Sequence, residues 1–136
     1  MEPDVAPFFV VVPQRHKFDC AVCCLAMLLG QDYERTLLAF DSLAPLVRGV
    51  SCKNIQRAAR RLGVELRLYR KVDLENDTGL LMLDAASWLV NHTVVLKEGM
   101  VVDPSDTTVW EVDDYIAANK ASVENILKVR VPARKT

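Results

Sequence analysis

The chain has 136 residues, with 17 Lys and Arg against 18 Asp and Glu, 51% apolar and 26% charged residues, and a net charge of −1. That is the length of one domain and the balance of an ordinary globular protein, which excludes disorder over the whole chain and any fibrous or low-complexity class. The near-neutral charge gives no electrostatic case for nucleic acid, and no apolar run approaches the ~20 residues of a membrane span.

The acidic opening Met1-Glu2-Pro3-Asp4 lacks the basic and apolar regions of a secretory signal, so a soluble, cytoplasmic domain is expected. The four cysteines are Cys20, Cys23, Cys24 and Cys52. Three of them fall within five residues of one apolar segment, too clustered for a disulfide framework, and they read as free thiols.

In chain order, Phe8-Phe9-Val10-Val11-Val12 between Pro7 and Pro13 reads as a short buried strand, and residues 14–17 as a loop. Asp19 is placed to cap a helix over residues 20–29, apolar nearly all round and therefore buried, which Gly30 stops. A second helix runs from Asp32 to about Ser42, with Leu37, Leu38 and Phe40 inward, and Pro45 and Gly49 mark a loop. Ser51 caps a third helix with Ile55, Ala58, Ala59 and Leu62 at helical spacing, which Gly63 ends. Lys53, Arg57, Arg60 and Arg61 form its solvated face.

From Val64 the period changes to two, and Val64, Leu66 and Leu68 mark a half-buried strand. Residues 79–83 read as another strand, and 92–97 with 100–103 as a hairpin across Glu98-Gly99. Residues 111–119 read as a helix, 126–131 as a last strand, and 130–136 as a flexible tail. Helices followed by mostly antiparallel strands make residues 1–136 a single α+β domain.

The chemistry concentrates at Gln14-Arg15-His16-Lys17-Phe18-Asp19-Cys20. A cysteine in the first turn of a helix sits at the positive end of the macrodipole, where thiolate is favoured and nucleophilic. Such a nucleophile needs a base, a group that orients the base, and donors for an oxyanion. His92 opens the predicted hairpin and Asp103 closes it, so pairing of the two strands can bring them side by side. Gln14 offers an amide NH₂, beside the Cys20 backbone amide, as an oxyanion donor. Asp84 and Asp106 remain alternative orienting carboxylates.

This order resembles the bacteriocin-processing, double-glycine leader peptidases, a family of papain-like cysteine peptidases. The resemblance rests on Gln14 six residues before Cys20, the Asp19-Cys20 pair and the helix Cys24-Leu25-Ala26-Met27-Leu28-Leu29-Gly30. It continues through Gly49-Val50-Ser51, Ala58-Ala59 with Leu62-Gly63, His92-Thr93-Val94-Val95-Leu96 and Asp103-Pro104, and so spans roughly residues 12–117. It implies a papain-like fold in which an N-terminal helical lobe packs on an antiparallel β-sheet. Carried over by position, it implies Cys20 as nucleophile, His92 as general base and acid, Asp103 as orienter and Gln14 as oxyanion donor. No cofactor or metal is implied, and the partner is a peptide or protein substrate, cut in that family after a Gly-Gly pair. Two departures are expected: Ala21 follows the cysteine where the family commonly has Gly, and the domain is expected to stand without a transporter.

Other readings use the same residues. The constellation also suits deamidation, isopeptide cleavage or acyl transfer, and a domain without catalysis would keep its groove as a peptide-docking module or serve as an effector. Cys20-x-x-Cys23 has zinc-ligand spacing that His16 or His92 can complete, but both cysteines lie in one helix with no second pair downstream. A redox role for the pair lacks the preceding strand of thioredoxin-type motifs. Cys23, Cys24 and Cys52 read as structural, Trp88 as core filling or a water shield, and His16 as a loop residue.

Overall fold

The computed structural model describes residues 10–40, 45, 50–88 and 91–130. Helices come first. Helix α1 (Cys20–Leu29) buries every residue from Ala21 to Met27, as its lack of a polar face requires, and ends where Gly30 turns left-handed (φ 67°). Helix α2 (Tyr33–Ala39) is capped by Asp32, whose carboxylate accepts the Arg35 amide at 2.7 Å. Helix α3 (Cys52–Arg61) is capped by Ser51, whose hydroxyl oxygen accepts the Asn54 amide at 3.2 Å. Its inward face is Ile55, Ala58 and Ala59, while Lys53, Arg57, Arg60 and Arg61 are exposed.

Six strands follow: β1 (Leu66–Tyr69), β2 (Thr78–Asp84), β3 (His92–Lys97), β4 (Met100–Asp103), β5 (Thr108–Glu111) and β6 (Ser122–Val129), with helix α4 (Val112–Asn119) before the last. They form one antiparallel sheet in the order β1-β6-β2-β3-β4-β5. Alternation divides their side chains between two cores. Leu80, Met82, Val95, Val102 and Leu127 meet α1, α2 and α3 on one face. Leu81, Leu83, Val94, Leu96, Val101 and Ile126 meet Val112 and Tyr115 of α4 on the other. Helices cover both faces, which is why the central strands read as unbroken apolar runs.

The hairpin lies where the sequence puts it, and both turn residues, Glu98 (φ 47°) and Gly99 (φ 88°), adopt the positive φ that a two-residue hairpin turn needs. Several expectations are corrected. Residues 10–12 are not in a strand, and Val10 is 82% exposed; Phe8 and Phe9 lie outside the described residues. Helix α2 ends at Ala39, with Leu38 facing solvent and Phe40 buried; Asp41 and Ser42 lie outside the described residues. The strand expected from Val64 starts at Leu66, and Leu68 is exposed. Strand β6 starts at Ser122, four residues earlier than expected. At the expected tail, the Arg130 amide donates to the Glu65 carbonyl (2.8 Å), and 131–136 lie outside the described residues. Strand β5 has no counterpart in the sequence reading.

Gly79 shows how closely β2 and β6 approach. A methyl group there would overlap the Leu127 carbonyl oxygen and press on the Ile126 side chain at 3.1 Å. Gly→Ala in a strand ordinarily stabilises through chain entropy. Gly79→Ala is therefore expected to reverse that sign and cost about 1–3 kcal/mol in urea unfolding; an unchanged or raised midpoint would contradict the close approach.

Candidate active site

Cys20 opens α1, and the first helical bond behind it runs from the Cys23 amide to the Asp19 carbonyl (3.2 Å). The amides at the head of the helix therefore have no partner within it. Asp19 stands at the capping position, but its side chain makes no cap bond to the helix. Its Oδ2 instead accepts the backbone amides of Arg15 and His16 (3.1 Å each) and the Tyr33 hydroxyl (2.6 Å). The Arg15 guanidinium lies 4.2 Å from the centre of the Tyr33 ring and pairs with Glu34. Asp19 is wholly buried, so the loop before Cys20 folds around one carboxylate. Burial, then the Asp19 bond, raises the Tyr33 pKa and keeps its hydroxyl a donor.

One turn after Cys20, on the same face of α1, the Cys24 thiol donates to the Thr93 carbonyl at 3.3 Å. That bond sets α1 against β3 beside His92. The β3–β4 register pairs Val95 with Val102; extended one step, it sets Asp103 opposite Val94, with His92 the diagonal neighbour on the same face. His92 Nε2 lies 2.8 Å from Asp103 Oδ1. Cys20 and His92 line the same cleft, and Cys20 helps to raise the His92 pKa; with Nε2 occupied by Asp103, the ring nitrogen left to face the thiol is Nδ1. Trp88 meets the imidazole edge-on with centroids 5.6 Å apart while packing on the second core, the core-filling role of the two expected.

The Asp103 carboxylate is 6% exposed and saturated with donors. Oδ1 accepts from His92, the Ser105 amide (2.9 Å) and the Ser105 hydroxyl (2.7 Å), and Oδ2 accepts the Tyr115 hydroxyl (2.5 Å). Burial alone would raise its pKa; the bonds and charge of His92, then Tyr115 and Ser105, hold it well below the usual carboxylate range. Burial alone would lower the His92 pKa, but the hydrogen bonds and charges of Asp103 and Cys20 outweigh it and raise it to about 10. Of the alternative carboxylates, Asp106 accepts the Thr108 amide and hydroxyl (3.0 and 2.6 Å), and Asp84 ends β2 opposite Ser122.

Cys20, His92 and Asp103 line a cleft of about 650 Å³ whose walls include Lys17, Phe18, Ala21, Val50, Trp88 and Tyr115. Gln14 is not among the cleft-lining residues. Its NH₂ donates to the His16 and Lys17 carbonyls (3.0 and 3.4 Å), and its backbone amide donates to the Pro104 carbonyl (3.0 Å), tying the loop before Cys20 to the end of β4. The Cys23 thiol is turned to the Pro13 carbonyl at 3.5 Å, and burial, then Asp19, raises its pKa. Among the described residues, no three His, Cys, Asp or Glu side chains are grouped to hold a metal ion. None of their helices is long and apolar enough to cross a membrane.

The sequence reading missed Ser105 and Tyr115. Asp103-Pro104-Ser105 carries a local signal, since Asp side chains commonly accept from the chain two residues on. Tyr115 carries none, because its approach depends on how α4 packs beneath the sheet.

The model of the Peptidase C39 family matches residues 9–106. The chain belongs to that family. Its members are cysteine peptidases acting on peptide bonds, which makes this chain a cysteine peptidase by class. A double glycine motif protease from an AMS/PCAT transporter, solved in complex with the leader peptide, is similar over 91% of this chain and 92% of its own, with a TM-score of 0.66 and 21% identity. The peptidase domain of Streptococcus ComA, a bi-functional ABC transporter of a quorum-sensing pathway, covers 90% of this chain and 98% of its own, with a TM-score of 0.63 and 16% identity. Both share the fold, which is papain-like as the resemblance implied. No curated protein matches the chain in sequence.

The His92–Asp103 pair makes stability depend on pH in a defined direction. The raised His92 pKa contributes stability fully below its ordinary value of 6.5 and loses it as pH rises through about 10. The lowered Asp103 pKa contributes fully above 3.8 and loses it as pH falls through its folded value. Urea unfolding is thus expected to show greatest stability from about pH 4 to 6.5 and a decline toward pH 10. Asp103→Asn should flatten the alkaline decline; an equal decline in the variant would show that the pair is not its source.

Proposed function

We propose that this chain hydrolyses a peptide bond in a peptide or protein substrate, with Cys20 as nucleophile, His92 as base and acid, and Asp103 as orienter. The observation that carries the reading is the His92–Asp103 bond of 2.8 Å beside Cys20, with all three residues lining one cleft. His92, held protonated beside Asp103 and Cys20, already carries the proton given up by the thiol, and the sulfur attacks the substrate carbonyl carbon. The tetrahedral oxyanion is met by the Cys20 amide at the head of α1. Imidazolium then protonates the leaving amine, and water, activated by the same imidazole, hydrolyses the thioester. Asp103 stays ionised and fixes the ring so that Nδ1 faces sulfur.

Gln14 is the proposed second oxyanion donor, a role in which its NH₂ exchanges the loop carbonyls it holds for the oxyanion. Gln14→Ala is then expected to lower kcat by about 10²–10³; a loss below about tenfold would assign the oxyanion to the backbone amide. The leader peptide bound by the AMS/PCAT neighbour supports an extended peptide with small residues at the cut as the first substrate to assay. Ala21 in the cleft wall supports the same preference for slender residues beside the sulfur.

The reading is tested by iodoacetamide labelling across a pH series, mapped by peptide mass spectrometry. Cys20 is expected to react ahead of Cys52 at pH 6, and His92→Ala to slow Cys20 alone. Equal, slow labelling of both, indifferent to His92→Ala, would leave the domain as a peptide-docking groove.

A further inference from the structure

We propose that Tyr115 is a positioning residue for this site: its hydroxyl, with that of Ser105, fixes the plane and the charge of the Asp103 carboxylate. The proposal rests on the peptidase reading above and adds α4 to the elements on which catalysis depends. Asp103 has two oxygens and one task, to face His92. With a donor on Oδ1 alone the group could rotate about its Cβ–Cγ bond and exchange its oxygens. Tyr115 prevents this by holding Oδ2 at 2.5 Å, while Ser105 shares Oδ1 with His92 through its amide and hydroxyl. The ring of Tyr115 is buried, packs edge-on against Trp110 with centroids 5.8 Å apart, and also lines the cleft. Burial, then the Asp103 bond, raises its own pKa, so the phenol remains a donor throughout the neutral range.

The charged and titratable groups around Asp103 come from every element packed on it: His92 of β3 with Cys20 behind it, Cys24 of α1, Tyr115 of α4, and Asp106 of its own loop. Cys24 stays a thiol, because burial and then the charges of Cys20, Cys23 and Asp103 raise its pKa. Apart from His92, the uncharged hydroxyls of Tyr115 and Ser105 are the side-chain donors that stabilise the Asp103 charge. They lower the proton affinity of Asp103 without adding a cation that would compete with His92.

Tyr115→Phe removes the hydroxyl and keeps the ring, and Ser105→Ala alters an exposed residue, so both should fold. In the full chain, Tyr115→Phe is expected to lower kcat by about tenfold with KM unchanged, as loss of one donor to a charged group would. The ¹³C carboxyl resonance of Asp103 should remain that of a carboxylate to the acid edge of the folded range in wild type. In the Tyr115→Phe, Ser105→Ala double variant it should titrate at higher pH, a change that ring packing alone would not produce. A wild-type kcat in Tyr115→Phe together with the same carboxyl titration in the double variant would overturn the positioning role while His92→Ala still slowed Cys20 labelling. If His92→Ala left Cys20 labelling unchanged, the peptidase reading itself would fail and this proposal with it.

Discussion

The arrangement of the site depends on one buried negative charge. A carboxylate out of water is costly unless its lone pairs are met. Asp103 meets that requirement with donors from β3, from α4 and from its own turn. Each donor therefore also fixes an element. Satisfying Asp103 locates the start of β3, the first turns of α4 and the loop after β4 relative to one another. The neighbouring Pro104 carbonyl extends the set to the loop before Cys20 through the Gln14 amide.

Cys20 is delivered to this frame from the opposite face of the sheet. Hydrogen bonds on either side of it set its position. Ahead of it, Asp19 gathers the Arg15 and His16 amides and the Tyr33 hydroxyl, so the loop has one shape. Behind it, the Cys24 thiol holds the Thr93 carbonyl, the residue next to the imidazole. With the sulfur held on both sides, little reorganisation is needed to bring it to the ring, which is how preorganised sites avoid an entropic cost during reaction.

Much of this was legible in the residues, and the parts that were not have common physical origins. The hairpin could be read to its end residues because alternation, β-branched content and Glu98-Gly99 agree, and its ends are His92 and Asp103. Helix α1 declares itself by having no polar side. Asp32 and Ser51 behave as caps because nothing else competes for their oxygens; Asp19 does not, because the phenol of a residue 14 positions away and two loop amides outbid the helix for it. Strand β5 escaped notice because an edge strand with exposed Thr108, Val109 and Glu111 shows no alternation. Val10 and Val11 looked like a strand because an apolar run states a preference for burial without saying where a partner strand lies. The contact of Tyr115 with Asp103, like the turn of Gln14 toward its own loop, is a consequence of packing that no local pattern announces.

The spacing of the same contacts along the chain also sets an order of assembly. The His92–Asp103 bond joins residues 11 apart, and the Cys24–Thr93 bond joins residues 69 apart. Closing a short hairpin takes microseconds and little loop entropy, whereas the longer closure costs more and waits for the hydrophobic face of α1 to dock. A ribosome releases Cys20 first and His92 long afterwards, so the nascent thiol spends that interval without the imidazole. His92 and Asp103 are paired as soon as one hairpin forms, and the sulfur joins them last. Under the proposed roles, a half-made or partly unfolded copy would thus carry its nucleophile apart from its base.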